Sequence, residues 1–279
     1  MPILKFISIS LMILLITSCS KKIPEKIIIE EKDMETQMID AYKEGLNELE
    51  RGDVLFAAKK FNEAEILFPQ SDYAPKAALM AAYSYYSQNY YGDAIIELER
   101  FIKIYPNHRN NDYAAYLLGL CFYEQIVDEK KDLQSILNAK NIFQNLIKKY
   151  PKTDFAIDVE FKLDLINDVL AAKEMYIGRY YIEKKKWIAA INRFSVVVDE
   201  YDKTIYAEEA LHRLVEIYYI IGLEQEAKKY AKLLGYNYQS SEWYEKSYSL
   251  FNKNYEKNRI KEIKKENNSI LEKFKSLFI

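Results

Sequence analysis

In 279 residues the chain sets 40 lysines and arginines against 42 aspartates and glutamates, a formal charge of −2, so no basic face recommends a nucleic-acid partner. Seven glycines and six prolines leave few turn signals, and helices are expected to dominate. Two cysteines and two histidines are too few for a disulfide framework or a concentrated metal site.

The first predicted element is a leader. Lys5 precedes an apolar run from Phe6 to Ile16 that breaks off in small residues and then Cys19, the layout of a secretory signal peptide over residues 1–18. At roughly ten residues the run is about half of what a helix needs to cross a bilayer, so a cleaved leader is expected rather than a spanning anchor. Leu15-Ile16-Thr17-Ser18-Cys19 resembles the lipobox of bacterial lipoproteins, where the cysteine is acylated and becomes the mature N-terminus. An ordinary signal peptide that contains a cysteine is the alternative, and its Ala-x-Ala cleavage pattern is missing here. Each buried methylene contributes roughly 0.8 kcal/mol, so two or more acyl chains on Cys19 tether a soluble body to one leaflet almost permanently. That covalent lipid is the only non-protein group expected; no cofactor or metal is. Ser20 and Lys21 follow, with no aspartate, and by resemblance to other lipoproteins this favours the inner, periplasmic face of an outer membrane. Residues 19–35 are polar and charged around Ile27-Ile28-Ile29 and read as a tether.

Residues 36–251 repeat. Ala57, Ala94, Ala139, Ala190 and Ala227 are each followed twelve positions later by Pro69, Pro106, Pro151, Asp202 and Gln239, and an aromatic residue stands just before each of these five. Each unit is read as a helical pair. The alanine lets two helices approach, the aromatic four residues after it (Phe61 in the first unit) shares its face, and proline stops the second helix. Gly45, Gly119 and Gly178 fall in the first helices, where a side chain would obstruct the neighbour, and Tyr85, Tyr123 and Tyr181 take the tyrosine position of the tetratricopeptide pattern. The expected fold is therefore all-α, a superhelical solenoid of about five tetratricopeptide-like pairs with a concave face. Unit three is longer by a charged stretch around Ile126 to Ser135, read as a loop. The interval from Tyr150 to Tyr201 implies one long helix from about Ala156 through Tyr181. Cys121, in apolar Gly119-Leu120-Cys121-Phe122-Tyr123, reads as a small core residue rather than a reactive thiol.

Residues 252–279 change character, with eight lysines and arginines, four glutamates, and Ile260, Ile263, Ile270, Leu271, Phe274 and Leu277 at roughly helical spacing. A basic amphipathic helix on a membrane and a solvated or partner-packed extension both fit this tail. Catalytic signatures are wanting. There is no His-Glu-x-x-His, no Gly-rich phosphate loop and no Gly-x-Ser-x-Gly; His212 lies in an apolar helical face, and acid pairs such as Glu208-Glu209 read as ordinary helix surface. The chain is expected to bind and position others rather than to be an enzyme.

One segment narrows this further. Arg100-Phe101-Ile102, Pro106-Asn107-His108, Asn110, Asp112-Tyr113, Tyr116 and Gly119-Leu120 stand in a spacing that resembles the BamD family, lipoproteins of the outer-membrane β-barrel assembly machinery. Ala171-Ala172-Lys173-Glu174, Arg179-Tyr180-Tyr181, Trp187-x-Ala189-Ala190-x-Asn192-Arg193-Phe194 and Leu233-Leu234-Gly235-Tyr236-Asn237-Tyr238 are similar too, so the likeness covers the lipobox and nearly all of residues 36–251. It implies a non-catalytic subunit that works beside other assembly-complex lipoproteins. The C-terminal repeats would hold the POTRA region of a BamA-like barrel protein, and the N-terminal repeats would face unfolded outer-membrane proteins. Asn192 and Arg193 are then the candidates for contact with the barrel protein, with a surface arginine paired at i,i+4 as the alternative. Tyr83, Tyr86, Asn107, His108, Asn110, Asp112 and Tyr113 form the candidate client groove. Their alternative is structural: Asn110 or Asp112 satisfies free N–H groups at the next helix start, and His108 is hydrogen-bonded in the turn. Other repeat scaffold lipoproteins, a pilotin or a peptidoglycan-linked cell-envelope coordinator, share the fold and anchor but not these motifs, and a lytic transglycosylase would need a catalytic domain for which no residues are left over. Cys19→Ala is expected to leave folding intact and to release the protein from membranes. Retention in the membrane through an alkaline wash would count against the lipid anchor.

Overall fold

Asp33 opens the first helix by accepting the Thr36 N–H on its carboxylate at 2.7 Å, and Gly52 closes it in the left-handed region at φ 85°. Asp53 then opens the second helix the same way, on the Phe56 N–H at 3.1 Å, so a two-residue turn reverses the chain. A computed structural model describes residues 33–126 and 133–252. These form α1 Met34–Arg51, α2 Val54–Leu67, α3 Ala74–Ser87, α4 Tyr91–Ile104, α5 Asn111–Tyr123, α6 Gln134–Lys149, α7 Asp154–Glu183, α8 Trp187–Glu200, α9 Ala207–Ile220, α10 Glu224–Asn237 and α11 Glu242–Phe251, with no strand among the described residues. Successive helices pack as antiparallel pairs, α1 with α2 through α9 with α10, and first helices also meet first helices: α3 with α5, α5 with α7, α9 with α11. The architecture is the expected all-helical solenoid.

The pairs are closed by complementary sizes. All five repeat alanines are fully buried, as are Phe61, Phe143 and Phe194. A Cβ added at Gly45 would lie 2.9 Å from the Phe61 ring, one at Gly178 would lie 2.6 Å from the Phe194 ring, and one at Gly119 would overlap Phe143. Each ring thus occupies the space a side chain on the first helix would need. In the second unit the corresponding positions are Ala82 and Leu98, and in the fifth Val215 and Ala231. As the first-helix residue grows from Gly to Ala to Val, the second-helix residue shrinks from Phe to Leu to Ala, which keeps the interior near its normal density.

The helix ends add detail to these expectations. Proline does follow α2, α4 and α6, yet α8 and α10 stop without one, at Tyr201 and Tyr238. After α8 the Thr204 hydroxyl donates to the Tyr201 carbonyl at 2.7 Å, and after α10 the Ser241 hydroxyl accepts the Tyr244 N–H to start α11. The long helix is α7, 30 residues from Asp154 to Glu183, two residues longer at each end than the spacing implied because Thr153 caps it on the Ala156 N–H. The first helix begins at Met34. The leader, Cys19, the tether to residue 32, the charged stretch 127–132 and the tail 253–279 lie outside the described residues.

Burial divides along α7. One apolar cluster runs from Ala78 through α4, α5 and α6 to Leu170, and the next starts at Ala171 and continues through α8 and α9 to Ile217. Cys121 is buried, which pushes its thiol up to about 12 and leaves it unreactive. No helix among the described residues is long and apolar enough to cross a membrane. Gly119→Ala and Gly178→Ala are expected to destabilise by about 1–3 kcal/mol through overpacking, Gly119→Ala the more severely, measured as a lowered denaturation midpoint. Gly92→Ala, where nothing lies within 4 Å of the added Cβ, should be neutral or stabilising.

Candidate functional site

The seven residues assigned to a front groove separate into two places. Tyr83 and Tyr86 lie one turn apart on α3, and Tyr113 one pair further along on α5. Burial, then the carboxylate of Glu124 and the neighbouring tyrosines, pushes the Tyr86 hydroxyl up to about 12. Burial and then Tyr83 raise Tyr113. Tyr116, a turn beyond Tyr113, stacks on Phe155 of α7 at 4.9 Å between ring centroids and donates to Asp158 at 2.7 Å, while Tyr113 meets the same Phe155 at 5.6 Å. The result is an aromatic ladder across three successive first helices, α3, α5 and α7. The raised hydroxyls of Tyr86 and Tyr113 stay protonated at neutral pH and can donate to a chain laid across them. Phe155 and Asp158 were missed in the sequence, although the helical spacing of Tyr113 and Tyr116 pointed toward the next first helix.

Asn107 and His108 lie elsewhere, in the turn between α4 and α5. With Asp72, Lys76 and Arg109 they line a polar pocket of about 390 Å³. His108 Nδ1 accepts the Asn110 N–H at 3.3 Å, and its ring meets Phe101 edge-on at 5.6 Å. Burial, then Arg109 and Lys76, hold the imidazole below its ordinary pKa, so the positive charge at this pocket comes from those two side chains. Asn110 occupies the cap position of α5 without a side-chain bond, whereas Asp112 accepts the Tyr113 N–H at 2.7 Å; of the two proposed caps Asp112 is the one that acts.

At the back, Asn192 is exposed on α8 and Arg193 beside it is bonded within the chain. Arg193 Nη1 donates to both oxygens of Glu174 on α7, at 3.0 and 3.3 Å. Its partner is thus nineteen residues away across the helical pair rather than one turn away. The guanidinium keeps 41% exposure and can take a second carboxylate. Glu209, expected on ordinary surface, instead sits largely buried, holding Arg179 of α7 at 2.8 Å and Arg213 at 3.2 Å. The chain of charges continues from Arg213 to Glu216 at 2.6 Å and from His212 Nε2 to Glu216 at 3.6 Å. His212 Nδ1 pairs with Ser247 Oγ of α11 at 2.8 Å, under the Trp243 ring. Polar bonding therefore links the first helices α7, α9 and α11, where ring contacts link α5 and α7. No group of three or more metal-ligating side chains occurs among the described residues.

A stack of helical pairs with side chains displayed along successive first helices defines a tetratricopeptide-type repeat protein. A family model described as "Outer membrane lipoprotein", YfiO, matches residues 34–233. The outer membrane protein assembly factor BamD of Rickettsia prowazekii is 42% identical over 224 residues, covering 80% of this chain and 89% of that protein. The factor of the same name from Caulobacter vibrioides is 40% identical over 213 residues, 76% of this chain and 70% of its own. The chain belongs to this BamD family of outer-membrane assembly lipoproteins. Among solved structures, a thermophilic tetratricopeptide protein of Thermus thermophilus covers 77% of this chain and 98% of its own at 14% identity, with a TM-score of 0.35.

Glu216 gives the back network a measurable pH dependence. Burial alone would raise its carboxyl, but bonding to His212 and Arg213 outweighs burial and lowers it from 4.5 to about 2. A depressed carboxylate stabilises the fold above its unfolded value and loses that contribution as pH falls toward its folded value. The stability difference between wild type and Glu216→Gln should therefore be full above about pH 4.5 and vanish toward pH 2, followed by denaturation midpoints across that range.

Proposed function

We propose that this protein is the non-catalytic, lipid-anchored subunit that docks an outer-membrane barrel protein's periplasmic POTRA region and helps to receive unfolded outer-membrane proteins for insertion. Membership of the BamD family, whose model matches residues 34–233, carries this reading. Cys19 anchors the body to the outer membrane on its periplasmic side. The back half, α7 to α11, takes the barrel protein, with Arg193 and Asn192 at the contact, and the other assembly lipoproteins join the same complex. Two features support Arg193. Its guanidinium is positioned by Glu174 yet remains 41% exposed, so a partner carboxylate meets a pre-oriented fork rather than a mobile side chain.

The front half takes the client. An extended, mostly apolar segment that crosses Tyr83, Tyr86 and Tyr113 gains ring contact at little cost in side-chain entropy, because these rings are already packed. Main-chain carbonyls of such a segment are acceptors for the tyrosine hydroxyls. The turn pocket with Lys76 and Arg109 suits a carboxylate group of the client.

The test is isolation of the acylated protein from mildly solubilised membranes, with its stoichiometric partner identified by mass spectrometry for wild type and for Arg193 variants. A POTRA-bearing barrel should accompany wild type. It should be retained about tenfold more weakly, ~1.4 kcal/mol, by Arg193→Ala and weaker still by Arg193→Glu. Glu174→Gln, which keeps the cation, should retain it. Pilus or peptidoglycan proteins in place of the barrel would overturn the assembly role and favour another envelope scaffold. Unchanged retention by Arg193→Glu would remove that residue from the contact.

A further inference from the structure

The solenoid ends on an open first helix. Each of α1, α3, α5, α7 and α9 is covered by a following antiparallel helix, but among the described residues α11 has no such cover. Its far side and α10 form a groove of about 620 Å³ floored by Ala231, Gly235, Tyr244, Tyr248 and Phe251, with Lys228 and Lys232 on its rim. The stripes are at helical spacing on both sides, so the groove has the shape of a slot for one more helix. Its near end is Phe251, and one residue later the described chain stops, with residues 253–279 still to follow.

We propose that the C-terminal tail, residues 253–279 of the same chain, seats its apolar stripe in this groove and caps the solenoid. Three observations select it as the occupant. The tail starts at the groove's edge, so occupation needs no long loop and is favoured by effective concentration. Its apolar residues Ile260, Ile263, Ile270, Phe274 and Leu277 fall at alternating intervals of three, seven, four and three, one seam along a helical face. Third, the sizes fit. The tail contains no alanine, and the Ala-x3-aromatic signature that lets the second helices of other pairs lie close is missing from it. Bulkier Ile and Phe need a wider slot, and small Ala231 lines the groove where the earlier units carry Phe or Leu, while the Tyr244 ring fills the place of the missing side chain at Gly235. Tail glutamates Glu262 and Glu266 supply acceptors for Lys228 and Lys232, while the tail's surplus of lysine is left toward solvent. This capping is independent of the assembly role.

Hydrogen exchange on the full-length chain tests it. In wild type, amides of residues 260–277 should exchange at least tenfold more slowly than in the free peptide of that sequence. Ile263→Asp/Ile270→Asp, which leaves the solenoid sequence intact, should remove that protection and speed exchange in α10 and α11 at least tenfold, with α1 to α6 unchanged. Free-peptide exchange rates in the wild-type tail would overturn the proposal. So would protection that appears only as protein concentration rises, which assigns the groove to a second copy, or only with anionic lipid vesicles, which assigns the tail to a membrane.

Discussion

The seating of one aromatic ring over one glycine sets the geometry of three of the five pairs. Phe61, Phe143 and Phe194 reach from a second helix into the space left at Gly45, Gly119 and Gly178 on the first. A glycine inside a helix costs about 1 kcal/mol against alanine, and the ring that replaces its missing side chain offsets this by burying its full area. The size exchange continues as Ala82 with Leu98 and Val215 with Ala231, so the paired helices are spaced by complementary side-chain sizes while the residues vary. Everything displayed on the first helices, rings at the front and charges at the back, depends on that spacing.

The two halves are held by different physics. In front, α5 and α7 are joined by Tyr113, Tyr116 and Phe155, contacts that salt does not screen. Behind, α7, α9 and α11 are joined through Arg179, Glu209, Arg213 and Glu216, of which Glu209 is largely withdrawn from solvent. Removing one member of such a buried set leaves its partners uncompensated and costs more than the pair itself contributes. The front therefore displays packed rings, and the back displays positioned charges.

Most of the fold was legible because the repeat is written in residue types with one physical use each. Alanine marks close approach, glycine the ring seat, and proline the helix end. Even where Pro gave way to Asp202 and Gln239, the preceding aromatic kept the register. The polar network was not legible for a definite reason. Glu209 and Arg179 are thirty residues apart, His212 and Ser247 thirty-five, and charged residues on a helix read as solvated face until the next helix is placed over them. Arg193 shows the same limit: its partner Glu174 lies across the pair, where i,i+4 reasoning does not look. Asn110 makes no cap bond, its backbone at φ −95° and ψ 19° lying outside the extended region a capping residue adopts, and Asp112 takes the Tyr113 N–H instead.

The long helix α7 belongs to both halves, with Leu170 in one apolar cluster and Ala171 in the next. Thirty residues make a rod about 45 Å long in which each residue advances the axis by about 1.5 Å and turns it by about 100°. The angle between the aromatic surface and the charged surface is therefore fixed by a residue count. One residue added near Leu170 would swing the back half by more than a quarter turn and pull Tyr201, which packs on the front cluster beneath Lys140 of α6, off its seat. The two surfaces would then be aimed in new directions. The length of α7 is thus a phase setting, changed without harm only in near-whole turns.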